Sequence, residues 1–146
     1  METKMHEDIA QFMAQQTCVN VCCIDEQQMP YCFTCFFVYD AAKHCLYFKS
    51  SSDTHHAQLL LKNGVCAGTI LPDQLNTLMI QGIQFEGTVQ KNTLFDVLPA
   101  MQYHTAYPIA MAVPGDMWTI TLLKIKFTDN AKGFGNKQHW ERKEEV

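Results

Sequence analysis

The segment Tyr47-Phe-Lys-Ser-Ser-Ser-Asp-Thr-His-His-Ala-Gln58 holds the residues best suited to chemistry. Serine hydroxyls, Thr54 and the free amides of a helix start can hold a phosphate dianion, with the helix dipole behind them. Lys49 and His55 can add charge at the same place. These residues also read as a polar loop in which Asp53 or Thr54 caps a helix, and spacing alone does not separate the two readings. His55 and His56 are adjacent, so on a helix they diverge by about 100° and cannot both face one ligand.

Other motifs carry less. Cys32-Phe-Thr-Cys35 invites a redox or metal reading, but residues three apart on a strand point to opposite faces. Cys18, Cys22 and Cys23 have no second Cys or His pair at structural-zinc spacing, so no metal site is expected. The chain has 7 cysteines, an odd number, set mostly among Val, Ile and Phe. They read as reduced, buried small hydrophobes. Neither a Gly-x-Ser-x-Gly elbow nor a Walker or Rossmann loop occurs.

The elements that must position these residues follow from length and pattern. With 146 residues and 47% hydrophobic content, the chain suits one domain over 1–146 with one core. Charged residues are only 18%, which leaves little charge for a monomer's surface and points to self-association. A net charge of -4 without long Lys/Arg runs argues against nucleic acid. The acidic start and the lack of any eighteen-residue apolar run argue for a cytoplasmic protein with no membrane contact.

His6 to Gln16 reads as an amphipathic helix with Ile9, Phe12, Met13 and Gln16 at three- and four-residue spacing. Cys18–Ile24, Tyr31–Tyr39 and Cys45–Phe48 read as strands, and Thr54–Lys62 as a helix stopped at Asn63-Gly64. Val65–Leu71, Thr77–Val89 and Trp118–Thr128 read as further strands, the second with bulge-forming glycines at 82 and 87. Thr93–His104 reads as a helix burying Leu94, Phe95, Val97, Leu98 and Met101. Trp118, Trp140, Phe127 and Phe134 are core or interface candidates. Trp140 to Val146 reads as a charged tail. About six short strands interrupted by three helices indicate an antiparallel barrel with helical plugs.

Tyr47 to Gln58, Val65-Cys-Ala-Gly-Thr69, Gln81-Gly-Ile-Gln-Phe-Glu-Gly87 and Trp118-Thr-Ile120 occur in an order that resembles the pyridoxamine-phosphate-oxidase-like, FMN-binding split barrels. The ending Ile125-Lys-Phe-Thr-Asp-Asn-Ala-Lys-Gly-Phe-Gly135 narrows the resemblance to a small bacterial branch. The resemblance covers nearly the whole chain. It implies a mainly β, six-stranded antiparallel split barrel with about three helices, forming a homodimer with FMN in clefts at the subunit interface.

By motif match, Ser50, Ser51, Thr54 and His55 fall where the family grips the FMN phosphate, with Lys49 beside them. Phe33, Thr34 and Cys35 fall on the strand whose backbone borders the isoalloxazine, and Gln84 on a later strand approaching the ring. Asn130 and Lys137 fall in a C-terminal region that reaches across the dimer. The oxidase pattern has basic residues where this chain has Cys32, Phe37, Thr54 and His55. A charge-assisted hydrogen bond to phosphate is worth about 1.5–3 kcal/mol, so without those bases a weaker or altered flavin grip is implied. The C-terminal basic motif that recognises pyridoxine phosphate is missing, which argues against a true pyridoxamine-phosphate oxidase. The resemblance therefore implies an FMN flavoprotein, an oxidoreductase acting on a small substrate or electron donor. The alternative is a non-catalytic dimeric module for FMN, haem or another flat cofactor, favoured by the depleted basic set and 6 histidines.

Overall fold

Val19, Val21 and Cys23 are fully buried while Cys18 and Asn20 are exposed, so the two-residue period of strand β1 (Cys18–Ile24) decides which of its faces is core. The computed structural model describes residues 4–144; the first three residues of the acidic start and the last two of the charged tail lie outside them. Helix α1 (Glu7–Gln15) precedes β1 and buries Ile9, Phe12 and Met13. Next come β2 (Pro30–Phe36), β3 (Val38–Asp40), β4 (Cys45–Ser50), α2 (His55–Lys62) and β5 (Val65–Ile70). The chain continues through β6 (Gln81–Lys91), α3 (Val97–Ala106), β7 (Asp116–Asp129) and β8 (Lys137–Glu141).

The sheet runs β2-β1-β5-β6-β7-β4-β3, every pairing antiparallel, with β8 added to β7. β2 and β3 are one strand interrupted at Phe37, and that single strand sits at both ends of the order. The sheet therefore closes on itself into six barrel strands, the expected split barrel, with β8 outside the count. On the N-terminal side of Phe37 the strand leaves β4 and pairs only with β1, which opens the barrel between β2 and β4.

Phe37 is 1% exposed, and its N–H donates to Thr17 O at 2.9 Å. Tyr107, just after α3, donates its hydroxyl to Phe37 O at 2.6 Å and to Thr17 O at 3.3 Å. Burial first, then Tyr103, pushes that hydroxyl up to about 12, so it remains a donor. The pairing of β6 with β7 shifts register between Glu86 and Gly87, a bulge at one of the expected glycines. A Cβ on Gly87 would come within 2.6 Å of Thr121 O, so only glycine lets the strands approach there.

Several expectations change. Residues 77–80 are a turn and not strand, because Asn76 accepts the N–H of Leu78 on its side chain at 3.0 Å and that of Met79 on its carbonyl. α3 starts at Val97, since Asp96 takes the amide and hydroxyl of Thr93 and closes a turn ahead of the helix. Leu94 (97% exposed) and Phe95 (92%) are consequently outside, as are Val97, Leu98 and Met101; α3 buries Pro99 and Tyr103. Trp118, Trp140 and Phe127 are buried, but Phe134 is 99% exposed. Of the cysteines, Cys23, Cys45 and Cys66 are buried, Cys22 and Cys35 intermediate, Cys18 and Cys32 exposed. β8 has no counterpart among the expected strands: Lys137–His139 carry no strand pattern, and Trp140 and Glu141 read as the start of the charged tail.

Phe37→Ala should lower the unfolding free energy by about 3–5 kcal/mol, seen as a lower urea midpoint, with Phe37→Leu costing clearly less. A near-neutral Phe37→Ala would remove this residue from the closure.

Candidate functional site

The hydroxyl-rich loop lies at the opening between β2 and β4. Thr54 is the N-cap of α2, its Oγ1 accepting the Ala57 N–H at 3.2 Å while donating to Ser51 O at 2.9 Å. The capping reading is thus correct, and it leaves the amides of His55 and His56, first in the helix, without intrahelical acceptors. Ser50 Oγ lies 2.6 Å and Thr54 Oγ1 3.2 Å from Nε2 of His56. The imidazole in the cluster is therefore His56; His55 is exposed and meets the edge of Tyr31 at 4.7 Å.

An aromatic series fixes that imidazole. His56 stacks on Phe33 at 3.9 Å and 10°, Phe33 meets Phe48 at 5.8 Å, and Phe48 stacks on Trp118 at 6.0 Å. Trp118 Nε1 then donates to Ser50 O at 3.0 Å, which returns the series to the loop. On the other side Ser52 donates to Asp116 and Gln58 to Ser52 O. Hydroxyls, imidazole and amides are thus held in place by packing and hydrogen bonds of their own.

The structure brings Phe33, Ser50, Ser51 and Thr54 together with His56, where the motif match points to its neighbour His55. Lys49 points elsewhere: its Nζ donates to Ala110 O at 2.8 Å and lies 3.0 Å from His104 Nε2, under α3. Cys35 faces inward against the core, where burial pushes its thiol up to about 12. Thr34 and Gln84 face outward on one row across the sheet, Thr34, Asn20, Thr69, Gln84, Lys126 and His139. Gln84 lines a groove of about 790 Å³ on that outer face, within the usual size of a ligand site. Asn130 accepts the Gly135 N–H across a turn, and Lys137 is exposed on β8.

The backbone of β2 adds a feature. Phe37 N bonds Thr17 O and Asp25 N bonds Met29 O, both at 2.9 Å, at the two ends of the β1–β2 ladder. Hydrogen-bonded pairs recur at every second position, so Val19–Cys35, Val21–Phe33 and Cys23–Tyr31 are of that kind. Cys32, Thr34 and Phe36 belong to the other set, and their N–H and C=O groups point away from β1 toward the opening.

Burial first, then the charge of His55, holds the His56 imidazole below its ordinary 6.5. His104 is lowered too, by burial and then by the Lys49 ammonium. The His56 imidazole accordingly favours its neutral form at pH 7, which leaves hydroxyls and amides as the donors of the site. Among the described residues no group of His, Cys, Asp and Glu is arranged to hold a metal, and no helix is long and apolar enough to cross a membrane.

No family model matches the chain. The chain is 32% identical over 141 residues to a UPF0306 protein of Serratia proteamaculans, covering 96% of this chain and 97% of that one. It is 36% identical over 135 residues to a UPF0306 protein of Citrobacter koseri, covering 92% of each. Among solved structures, a heme binding protein of Mycobacterium smegmatis superposes with TM-score 0.73 at 11% identity over 90% of this chain and 56% of that chain. A FAD-binding protein of Mesorhizobium loti gives 0.68 at 9%, over 83% and 92%. A Clostridium acetobutylicum protein of the pyridoxinephosphate oxidase family gives 0.66 at 12%, over 92% of both. These likenesses show the fold, the split barrel of the pyridoxamine-phosphate-oxidase-like proteins.

Because the folded chain resists protonation at His56, stability should be full above about pH 6.5 and fall as pH drops from there toward the lowered folded value. Melting temperatures between pH 7 and 5 should therefore fall less steeply for His56→Gln, which keeps a donor near Ser50, than for the unaltered protein. Equal slopes would show that His56 titrates alike in both states.

Proposed function

We propose that this chain, which belongs to the UPF0306 family, binds FMN at the opening between β2 and β4 and serves as an oxidoreductase for a small substrate or electron donor. The observation that carries this reading is the convergence of Ser50 Oγ, Thr54 Oγ1 and the first amides of α2 beside His56, against the flat face of Phe33. That donor set fits a phosphate: two hydroxyls, two amides, and an imidazole that gains a proton more readily beside a dianion. The outward N–H and C=O groups of Cys32, Thr34 and Phe36 form an edge suited to a flat heteroaromatic ring with its own donors and acceptors. The solved structures with this fold described as FAD-binding and heme binding support a flat cofactor.

When bound, FMN supplies hydride or electron acceptance. The chain's own residues bind and orient: Ser50 and Thr54 hold the phosphate, Phe33 offers an apolar wall, and the aromatic series keeps His56 from swinging out. Lys49, engaged under α3, contributes no direct charge here, so the grip is one of neutral donors and weaker than a guanidinium clamp.

A second copy completes the reading. Leu94, Val97, Met101 and Met111, all exposed, line one groove of about 930 Å³ beside α3, an apolar surface suited to a homodimer with the cofactor at the subunit interface. Free cysteines throughout the described residues fit a reducing cytoplasm. The second reading, a non-catalytic module for haem or another flat ligand, is favoured by the heme binding structure and by an imidazole standing at the opening.

FMN added to the apo dimer should raise its melting temperature and shift the flavin band near about 450 nm. Ser50→Ala combined with Thr54→Val should weaken binding roughly tenfold to a hundredfold, with affinity tightening on acidification through His56. No melting shift at millimolar FMN would sink the flavin reading. A haem Soret band lost in His56→Ala would favour the module, and anaerobic bleaching of bound FMN by reduced nicotinamide would favour the enzyme.

A further inference from the structure

Cys22 stands directly opposite Cys32 in the β1–β2 ladder. The hydrogen bonds at the two ends of that ladder place the pair among the non-hydrogen-bonded positions, where facing Cα atoms lie about 4.5 Å apart and side chains approach closely. A disulfide spans Cα separations of about 4.4–6.8 Å, so this pair can close without moving the strands. Both side chains face away from the core and line the groove of about 790 Å³. Cys22's other cross-strand neighbour is Ala67, whose small methyl leaves the thiol open on that side.

The other cysteines do not compete. Cys18 is on the same face but four residues along β1, about 13 Å away. Cys23, Cys45 and Cys66 are buried, and Cys35 faces inward. Within the pair the two thiols differ. Cys32 is exposed, whereas Cys22 is half-buried, and burial together with the neighbouring Cys32 thiol pushes it up from its ordinary value. Cys32 is thus the sulfur that a co-reactant meets first.

We propose that Cys22 and Cys32 form a surface dithiol that reduces a low-molecular-weight disulfide of the glutathione type and closes a cross-strand disulfide. The Cys32 thiolate attacks one sulfur of the small disulfide, breaking its S–S bond and releasing one small thiolate. Cys22 then attacks Cys32 Sγ in the mixed disulfide, forming the Cys22–Cys32 bond and releasing the second small thiolate. Two protein thiols are oxidised, one small disulfide is reduced to two thiols, and the two cysteine protons end on those thiols. Neither sulfur takes part in the Ser50–Thr54–His56 cluster, while the backbone of Cys32 belongs to the edge of β2 that the flavin reading uses.

The test is to incubate the full chain with excess glutathione disulfide, quench by alkylation, and map the digest by mass spectrometry. The expected result is a loss of about 2 Da and of two alkylatable thiols, with one peptide linking Cys22 to Cys32. Cys22→Ser should stop at a glutathione adduct on Cys32, about 305 Da heavier, and Cys32→Ser should form no intramolecular bond. Circular dichroism checks that both variants fold; should either fail to, mapping of the unaltered chain decides. Retention of both thiols, closure between other cysteines, or a folded Cys22→Ser without an adduct on Cys32 would overturn the proposal.

Discussion

The closure of the sheet at Phe37 is the constraint on which the other features depend. An antiparallel sheet with two free edges exposes rows of unpaired amides, and a barrel removes them by pairing its first strand with its last. Here one strand does both jobs in sequence: residues 38–40 pair with β4 and residues 30–36 with β1. The change of partner requires a sharp local redirection, and the chain fixes it with a buried phenyl ring and hydrogen bonds from Phe37 N to Thr17 and from Tyr107 to Phe37 O. Tyr107, partly buried just after α3, ties the helix to this point, and with Pro99 and Tyr103 packed inward α3 leaves most of its apolar residues outside.

Because the strand deserts β4 at that point, the opening is a necessary product of the closure and not a separate device. Three kinds of group gather there for three reasons. The backbone edge of β2 is unpaired because β4 has diverged. The hydroxyls are present because β4 must end, and it ends in a serine-rich turn capped by Thr54 into α2. Aromatic rings are present because alternate residues of β2, β4 and β7 point inward at the same level, placing Phe33, Phe48 and Trp118 in sequence behind His56.

Much of this is legible in the sequence where the physical signal is local. β1 is bounded as its alternation implies, the Thr54 cap and Asn63 stop of α2 follow from side-chain chemistry, and Gly87 marks a bulge. The failures share a different cause. Thr77–Ile80 and Thr93–Asp96 carry apolar residues at strand or helix spacing, yet Asn76 and Asp96 bond the adjacent backbone and turn chemistry prevails over periodicity. Leu94 and Phe95 look like core for the same reason and are not. β8 escapes the pattern because its five residues gain their strand partners from β7 alone, through register and not through their own alternation. In the site, the hydroxyls are readable, but which histidine they meet is not. His55 and His56 differ by one helical step, and only the position of Phe33 on a distant strand selects His56.

That selection has an energetic consequence. A phosphate site built from arginine carries its charge at any pH, whereas the half-buried imidazole of His56, held below its ordinary value, favours its neutral form until an anion arrives. Protonation and anion binding are then linked: the ligand must supply the free energy that charges His56 against its desolvation. Stacking on Phe33 contributes to that desolvation, so the contact that holds the ring in place also keeps it uncharged. A site of this kind holds a phosphate loosely at neutral pH and more firmly in acid. Tight retention of the proposed phosphorylated cofactor must then come from elsewhere, and the unpaired edge of β2 is the feature of the fold best placed to provide it.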